Sequence, residues 1–201
     1  MARARWPTLA VISKIAKTLI IGGVLASSDG VAKGHQLTTR LVAAEAAQWT
    51  VFRDPDLGIE FSYPSSRRVA SGCHGSNKCV ALIDKSAPDE NYLAAFEVFD
   101  GPLDRVAVER AVFQKEGDNW SANGRSAKHP VESLIGPGWR GVRSVVDCGI
   151  SDGDSFHAGA GECLWMVISN GKRSVVVDTE GLRGLDPDTM RSIRSVRFGV
   201  R

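Results

Sequence analysis

Four cysteines, Cys73, Cys79, Cys148 and Cys163, stand behind a stretch with the composition of an export leader, and this combination restricts the chain to folds that accommodate disulfides. The first 32 residues open with Arg3, Arg5, Lys14 and Lys17. They continue through an apolar run over 19–26 and reach the small residues Gly30, Val31 and Ala32. Basic start, apolar core and small-residue cleavage site form the order of a secretory signal peptide. The apolar run falls short of the about 20 residues that span a bilayer. Cleavage is expected after Ala32. A rival site after Ala46 sits far from the apolar run, and an uncut leader would leave an N-terminal anchor with Lys14 and Lys17 on the cytoplasmic side. The expected location is periplasmic or secreted, where an even set of cysteines pairs.

Removing 32 of 201 residues leaves 169, enough for one domain with a real apolar core. The full chain carries 25 Lys/Arg and 23 Asp/Glu. The leader takes four of the former and one (Asp29) of the latter, leaving 21 against 22. A mature chain so close to neutral lacks the overall electrostatic drive for nucleic acid. Arg191, Arg194, Arg197 and Arg201 form a local basic run, read as the solvated side of a last helix and strand.

Residues 33–48 carry little packing material and read as a flexible lead-in to a domain over 49–201. Ile59, Phe61 and Tyr63 alternate with polar neighbours, the period of a half-buried strand, and Pro64 ends it. Further strands are expected at 80–83 and 93–99. A helix then opens at Pro102, carries Leu103, Val106, Val112 and Phe113 on one side and stops at Gly117. The second half reads antiparallel, with strands at 142–146, 164–169 and 174–177. Asn170-Gly171 is expected to supply both positive-φ positions of a type I′ hairpin. Asp186-Pro187 caps a short helix with Met190 and Ile193 inward, and 195–200 forms a last strand.

Three of these stretches together resemble the PsbP-like superfamily, which includes the extrinsic P subunit of the oxygen-evolving complex and small exported bacterial proteins. They are Trp49 with Gly58-Ile59-Glu60-Phe61-Ser62-Tyr63-Pro64, the strand and helix over 93–116, and the closing 190–198. The resemblance implies an α+β fold, an antiparallel sheet sandwiched by helices, used as a binding or assembly module. It brings no catalytic residue with it, and fold analogy alone supplies no function.

Four cysteines allow three pairings. Cys148 ends one expected strand and Cys163 begins its antiparallel neighbour, so these two should face each other and close the Gly- and Asp-rich segment 149–162. Cys73–Cys79 would then pin the short loop between them. The competing reading is a metal or redox site that adds His74 and His157, but the chain has neither Cys-x-x-Cys nor His-x-x-x-His. Asp152-Gly153-Asp154 with Glu162 hints at calcium, yet Phe156 and His157 break the EF-hand pattern. Gly-x-Ser-x-Gly, the P-loop and His-Glu-x-x-His are all missing, and Gly159-Ala160-Gly161 lacks the context of a dinucleotide fingerprint. Glu97, Asp100 and Asp104 near a strand–helix junction read as capping and surface groups.

Trp139 stands apart from Trp49, Trp120 and Trp165, for which core packing is the default. It follows Gly136-Pro137-Gly138 at the entry to a strand and is followed by Arg140; a lid on the core is the leading reading, and an aromatic–arginine pair suited to a binding edge is the competing one. The expected contact set is Trp139 and Arg140 with Asp152, Asp154 and His157 of the tied loop. The expected function is a non-enzymatic binding or assembly module of the cell envelope, holding no cofactor or metal. Its partner would be an envelope protein, with no nucleic acid and no membrane span once the leader is removed. The alternative is a periplasmic inhibitor or immunity protein whose rigid loop plugs an envelope-acting enzyme.

Overall fold

The alternation of apolar and polar residues becomes a seven-stranded antiparallel sheet whose two faces are buried in separate cores. The computed structural model describes residues 48–88, 92–152, 155–157, 161–179 and 181–199. The leader 1–32 and the lead-in up to residue 47 lie outside the described residues. The large sheet holds β3 (Arg67–Cys73), β4 (Ser76–Asp84), β5 (Tyr92–Asp100), β9 (Glu132–Gly136), β10 (Trp139–Asp147), β13 (Glu162–Ser169) and β14 (Arg173–Thr179). Its order is β3-β4-β5-β14-β13-β10-β9. A small sheet joins β1 (Trp49–Asp54), β2 (Ile59–Pro64) and β15 (Arg197–Phe198), and another joins β6 (Phe113–Glu116), β7 (Asn119–Asn123) and β8 (Lys128–Pro130). The helices α1 (Leu103–Arg110) and α2 (Pro187–Arg194) are eight residues each. A 3-10 turn covers Gly181–Leu185.

Side chains alternate across a strand, so Val175 and Val177 enter one core and Val176 the other. The first core seats Ile59 and Phe61 of β2 and Ile193 of α2 on Val80, Leu82 and Phe96, with the rings of Phe61 and Phe96 stacked 4.4 Å apart. The second seats Leu103 and Val106 of α1 with Phe113 and Ala122 of β6 and β7 on Val142, Val167 and Val176. The expectation of an antiparallel sheet with a helix on each side therefore holds in outline. The cover, however, is as much sheet as helix: each face carries one short helix and one three-stranded sheet.

Two local expectations need correction. The helix opened at Pro102 stops at Arg110, and Ala111 is extended (φ −135, ψ −167). Val112 and Phe113 fit a strand as well as a helix, and from Phe113 the chain alternates and pairs with β7, Glu116 facing Asn119. Gly117 (φ 60) is thus the first central residue of a hairpin turn and not a helix stop. The 169–174 hairpin forms, but only Gly171 has positive φ (90). Asn170 closes the turn instead, its N–H bonding Arg173 O and its Oδ1 accepting from the N–H groups of Lys172 and Arg173. Glycine first of two central residues is the type II′ pattern.

The expected last helix forms, while the last strand, expected over 195–200, is only Arg197–Phe198, with Ser195 serving as the helix C-cap. Asp186 Oδ1 accepts from the N–H groups of Asp188 and Thr189, Pro187 occupies the first turn, Ile193 is buried and Met190 half-buried. Strand β15 adds to β2, in the small sheet.

Candidate binding groove

Both expected disulfides form. Cys148–Cys163 joins Cα atoms 5.8 Å apart at the ends of β10 and β13, where Val146 faces Cys163. The bond ties the base of segment 149–162, in which β11 (Ile150–Asp152) and β12 (Ser155–His157) form a short hairpin. Cys73–Cys79 joins Cα atoms 5.2 Å apart across the β3–β4 tip, where His74 (φ 52) and Gly75 (φ 71) are the two positive-φ residues of the turn. All four sulfurs are used, which removes the cysteine-ligand reading of His74. Among the described residues, no group of three His, Cys, Asp or Glu side chains could hold a metal ion.

Two buried carboxylates lie toward the same end of the large sheet, Asp147 at the end of β10 and Asp178 near the end of β14. Asp147 accepts from His129 Nε2 and from Ser126 N–H, 2.5 Å away. Burial works against its ionisation, but the hydrogen bonds from His129, from the Ser126 side chain and N–H and from its own N–H outweigh it, holding the pKa at about 2. Asp178 accepts from Tyr92 Oη at 2.9 Å and pairs with His74 Nε2 at 3.3 Å. Burial pushes its pKa up, and the negative charge of Glu97 adds to that; His74 and Tyr92 offset part of the rise. In both places the carboxylate oxygens are consumed within the fold: Asp147 fastens the 124–129 loop, and Asp178 receives the disulfide-bound hairpin tip.

The open site lies on the first face, between α2 and the strands β13, β10 and β9. A space of about 260 Å³ there is walled by Leu134, Trp139, Met166, Ile168, Met190 and Ile193. It continues past Arg143 and Arg194 into a second space of about 400 Å³, bounded by Pro130, Val131, Glu132, Ser144 and Val145. The sequence builds the first wall locally. Gly138 (φ 73) follows Pro137 in the β9–β10 turn, the residue order of a type II turn. Trp139 lies opposite Gly136, and a Cβ on that glycine would fall within the indole ring. The missing side chain thus lets the ring lie flat on β9, half-buried against the first core.

The expected contact set is divided by this geometry. Trp139 packs on the core and also walls the groove. Arg140 is exposed on the opposite sheet face, because consecutive strand residues point to opposite sides. Arg143, four residues on, shares the face of Trp139 and places Nε and Nη2 at 2.9 and 2.7 Å from Glu132 Oε2. Asp152 and His157 belong to the β11–β12 hairpin, beyond the far end of β10. Eight steps of about 3.3 Å put roughly 26 Å between Asp147 at that end and Trp139. The described strands β11 and β12 are therefore joined to β10 at the end away from the tryptophan. Asp154 lies outside the described residues. Period-two counting forward from Trp139 points to Arg143, whereas Arg194 carries no sequence signal beyond the basic run to which it belongs.

The solution structure of cyanobacterial PsbP (CyanoP) from Synechocystis sp. PCC 6803 aligns with 78% of this chain and 95% of its own, at 13% identity and a TM-score of 0.45. No family model matches the chain, and no curated protein matches it. Among the described residues, no helix is long and apolar enough to cross a membrane.

Proposed function

We propose that this chain is an exported, non-enzymatic binding or assembly module of the cell envelope, and that it docks its partner in the groove between α2 and β9–β10. The observation that carries this reading is an open, largely apolar groove with an arginine rim on a sheet fastened by two disulfides. The internal satisfaction of Asp147 and Asp178 supports a binding role over a catalytic one, since neither carboxylate is left to move a proton. A photo-crosslinking residue at Val145, 42% exposed beside the groove, tests the site against the same residue at Val108, 47% exposed on α1. One discrete adduct from position 145 in the native cell envelope, and none from 108, is the expected result. Equal labelling, or none at 145, would remove the groove from the reading. A non-reducing mass matching residues 33–201 with two disulfides would establish export and cleavage.

A second reading, an inhibitor or immunity protein, draws on the β11–β12 hairpin tied at its base by Cys148–Cys163. It expects inhibition of a lytic envelope enzyme that disappears when 151–156 are replaced by a glycine linker. The first reading expects such a replacement to leave docking intact.

A further inference from the structure

The groove's two halves differ in chemistry, and the difference specifies what fits. The inner half is apolar and lined by Met166 and Met190, whose flexible thioethers adapt to varied apolar shapes. At about 260 Å³ it sits just below the roughly 300–1,000 Å³ typical of small-molecule sites. It has room for one large side chain or two smaller ones. The outer half carries charge: Glu132 is held by Arg143, while Arg194 makes no ion pair among the described residues. Two guanidinium groups against one carboxylate leave the mouth one charge positive.

We infer, on the reading of the groove as the docking site, that its occupant is an extended acidic segment of a partner protein. One aromatic or large aliphatic side chain seats between Trp139 and Met190, and a carboxylate one or two residues away reaches Arg194. A charge-assisted bond of that kind supplies orientation more than bulk affinity. A fatty acid can fill the inner half and set its one carboxylate on Arg194, but it has no main chain to offer the outer strand β9. A peptide answers both halves. It also runs beside β9, an outer strand that pairs only with β10 among the described residues, so its main chain meets free donors and acceptors.

Methionine methyl NMR tests this directly, since two of the three methionines in the chain line the inner half. Four probes are titrated into the oxidised protein: a heptapeptide with phenylalanine between two aspartates, the same peptide with lysines for aspartates, the aspartate peptide with alanine for phenylalanine, and decanoate. The aspartate–phenylalanine peptide should shift the Met166 and Met190 methyls saturably. The lysine peptide should bind at least roughly fivefold more weakly, the size of one modest ion pair. Arg194→Glu, an exposed change on α2, should reverse that preference while leaving the circular dichroism unchanged.

Equal binding of both charged peptides, or an unreversed preference in Arg194→Glu, overturns the acidic requirement and leaves the groove as a docking site. Binding of decanoate alone overturns the peptide and makes the groove a lipid site. If no probe moves either methyl, both the inference and the docking reading fall.

Discussion

Removing the two disulfides separately should destabilise the protein by different amounts, set by loop length. Cys148 and Cys163 are 15 residues apart, Cys73 and Cys79 only 6. Each bond acts mainly by restricting the unfolded chain, because β10–β13 pairing and the β3–β4 turn already hold the cysteines together in the fold. Chain-entropy scaling gives about 3 kcal/mol for the longer loop and about 2 for the shorter, a difference of about 0.8 kcal/mol. For a protein of this size each kcal/mol moves the melting temperature by about 2–4 °C. Cys148→Ala with Cys163→Ser should therefore lower Tm by roughly 6–12 °C. Serine is chosen at 163 because Cys163 Sγ accepts the Gly181 N–H at 3.3 Å, and a hydroxyl can still accept it. Cys73→Ala with Cys79→Ala should cost less. Equilibrium urea unfolding adds a second check: each variant should show a steeper m-value, since a chain freed of its cross-link exposes more surface when unfolded. A larger loss from the shorter loop, or unchanged m-values in both variants, would refute the entropic account and place the effect in native packing.

Asp147 titrates at about 2 in the fold against an ordinary 3.8. Between those values the unfolded chain binds more protons, so stability rises with pH across the interval and is lost on acidification through it. Asp147→Asn should flatten that acid limb in urea midpoints measured from pH 2 to 5; a limb of unchanged slope would assign it to other groups. Asp178 shifts the other way, so its ionisation costs stability as pH rises above the ordinary aspartate range. Asp178→Asn should be at least as stable as the parent at pH 7, with the advantage shrinking as pH falls towards 3.8. A clear loss of urea midpoint at pH 7 would mean that the bonds to Tyr92 and His74 outweigh desolvation. Gly136→Val should drive Trp139 off its seat, moving one of the five tryptophan indole N–H resonances and costing about 1–3 kcal/mol. Unmoved indole signals would show that the ring does not rest on Gly136. Ile193→Ala empties a site that is 1% exposed under α2 and should cost about 2–5 kcal/mol in the same urea assay.

Local features of this fold could be read from the sequence wherever one physical cue acted alone. Ile59, Phe61 and Tyr63 alternate without competition and form β2; Asp186-Pro187 caps α2; Cys148 and Cys163 end paired strands and bond. Misreadings fell where two cues overlapped. Val112 and Phe113 satisfy a helical face and a strand equally, and the choice went to the strand because β7 offers Ala122 opposite Phe113. At Asn170 the side chain bonded the turn from outside, moving the positive-φ position to Gly171 alone. Long-range order was not legible at all. Phe96 faces Val177 across 81 residues of chain, and no local pattern distinguishes β14 from β13 as the neighbour of β5.

The groove belongs to that second category, since it arises where cover runs out and not from a motif. Seven strands at about 4.8 Å spacing make a face roughly 29 Å wide. On the first face the three-stranded sheet spans about 10 Å and one helix about another 10 Å. Some 9 Å is left, the width of two strands, and β10 and β9 at the sheet's end are the two left over. Leu134, Trp139 and Met166 obey the same inward alternation as the core residues, so nothing in their spacing marks them as a surface. The boundary between core and groove is set by α2, which is eight residues long and ends at Arg194. The same short helix that leaves the apolar strip uncovered thus places a cation at its edge, which is why the basic C-terminal run, read from sequence as a solvated face, contributes the charged rim of the site.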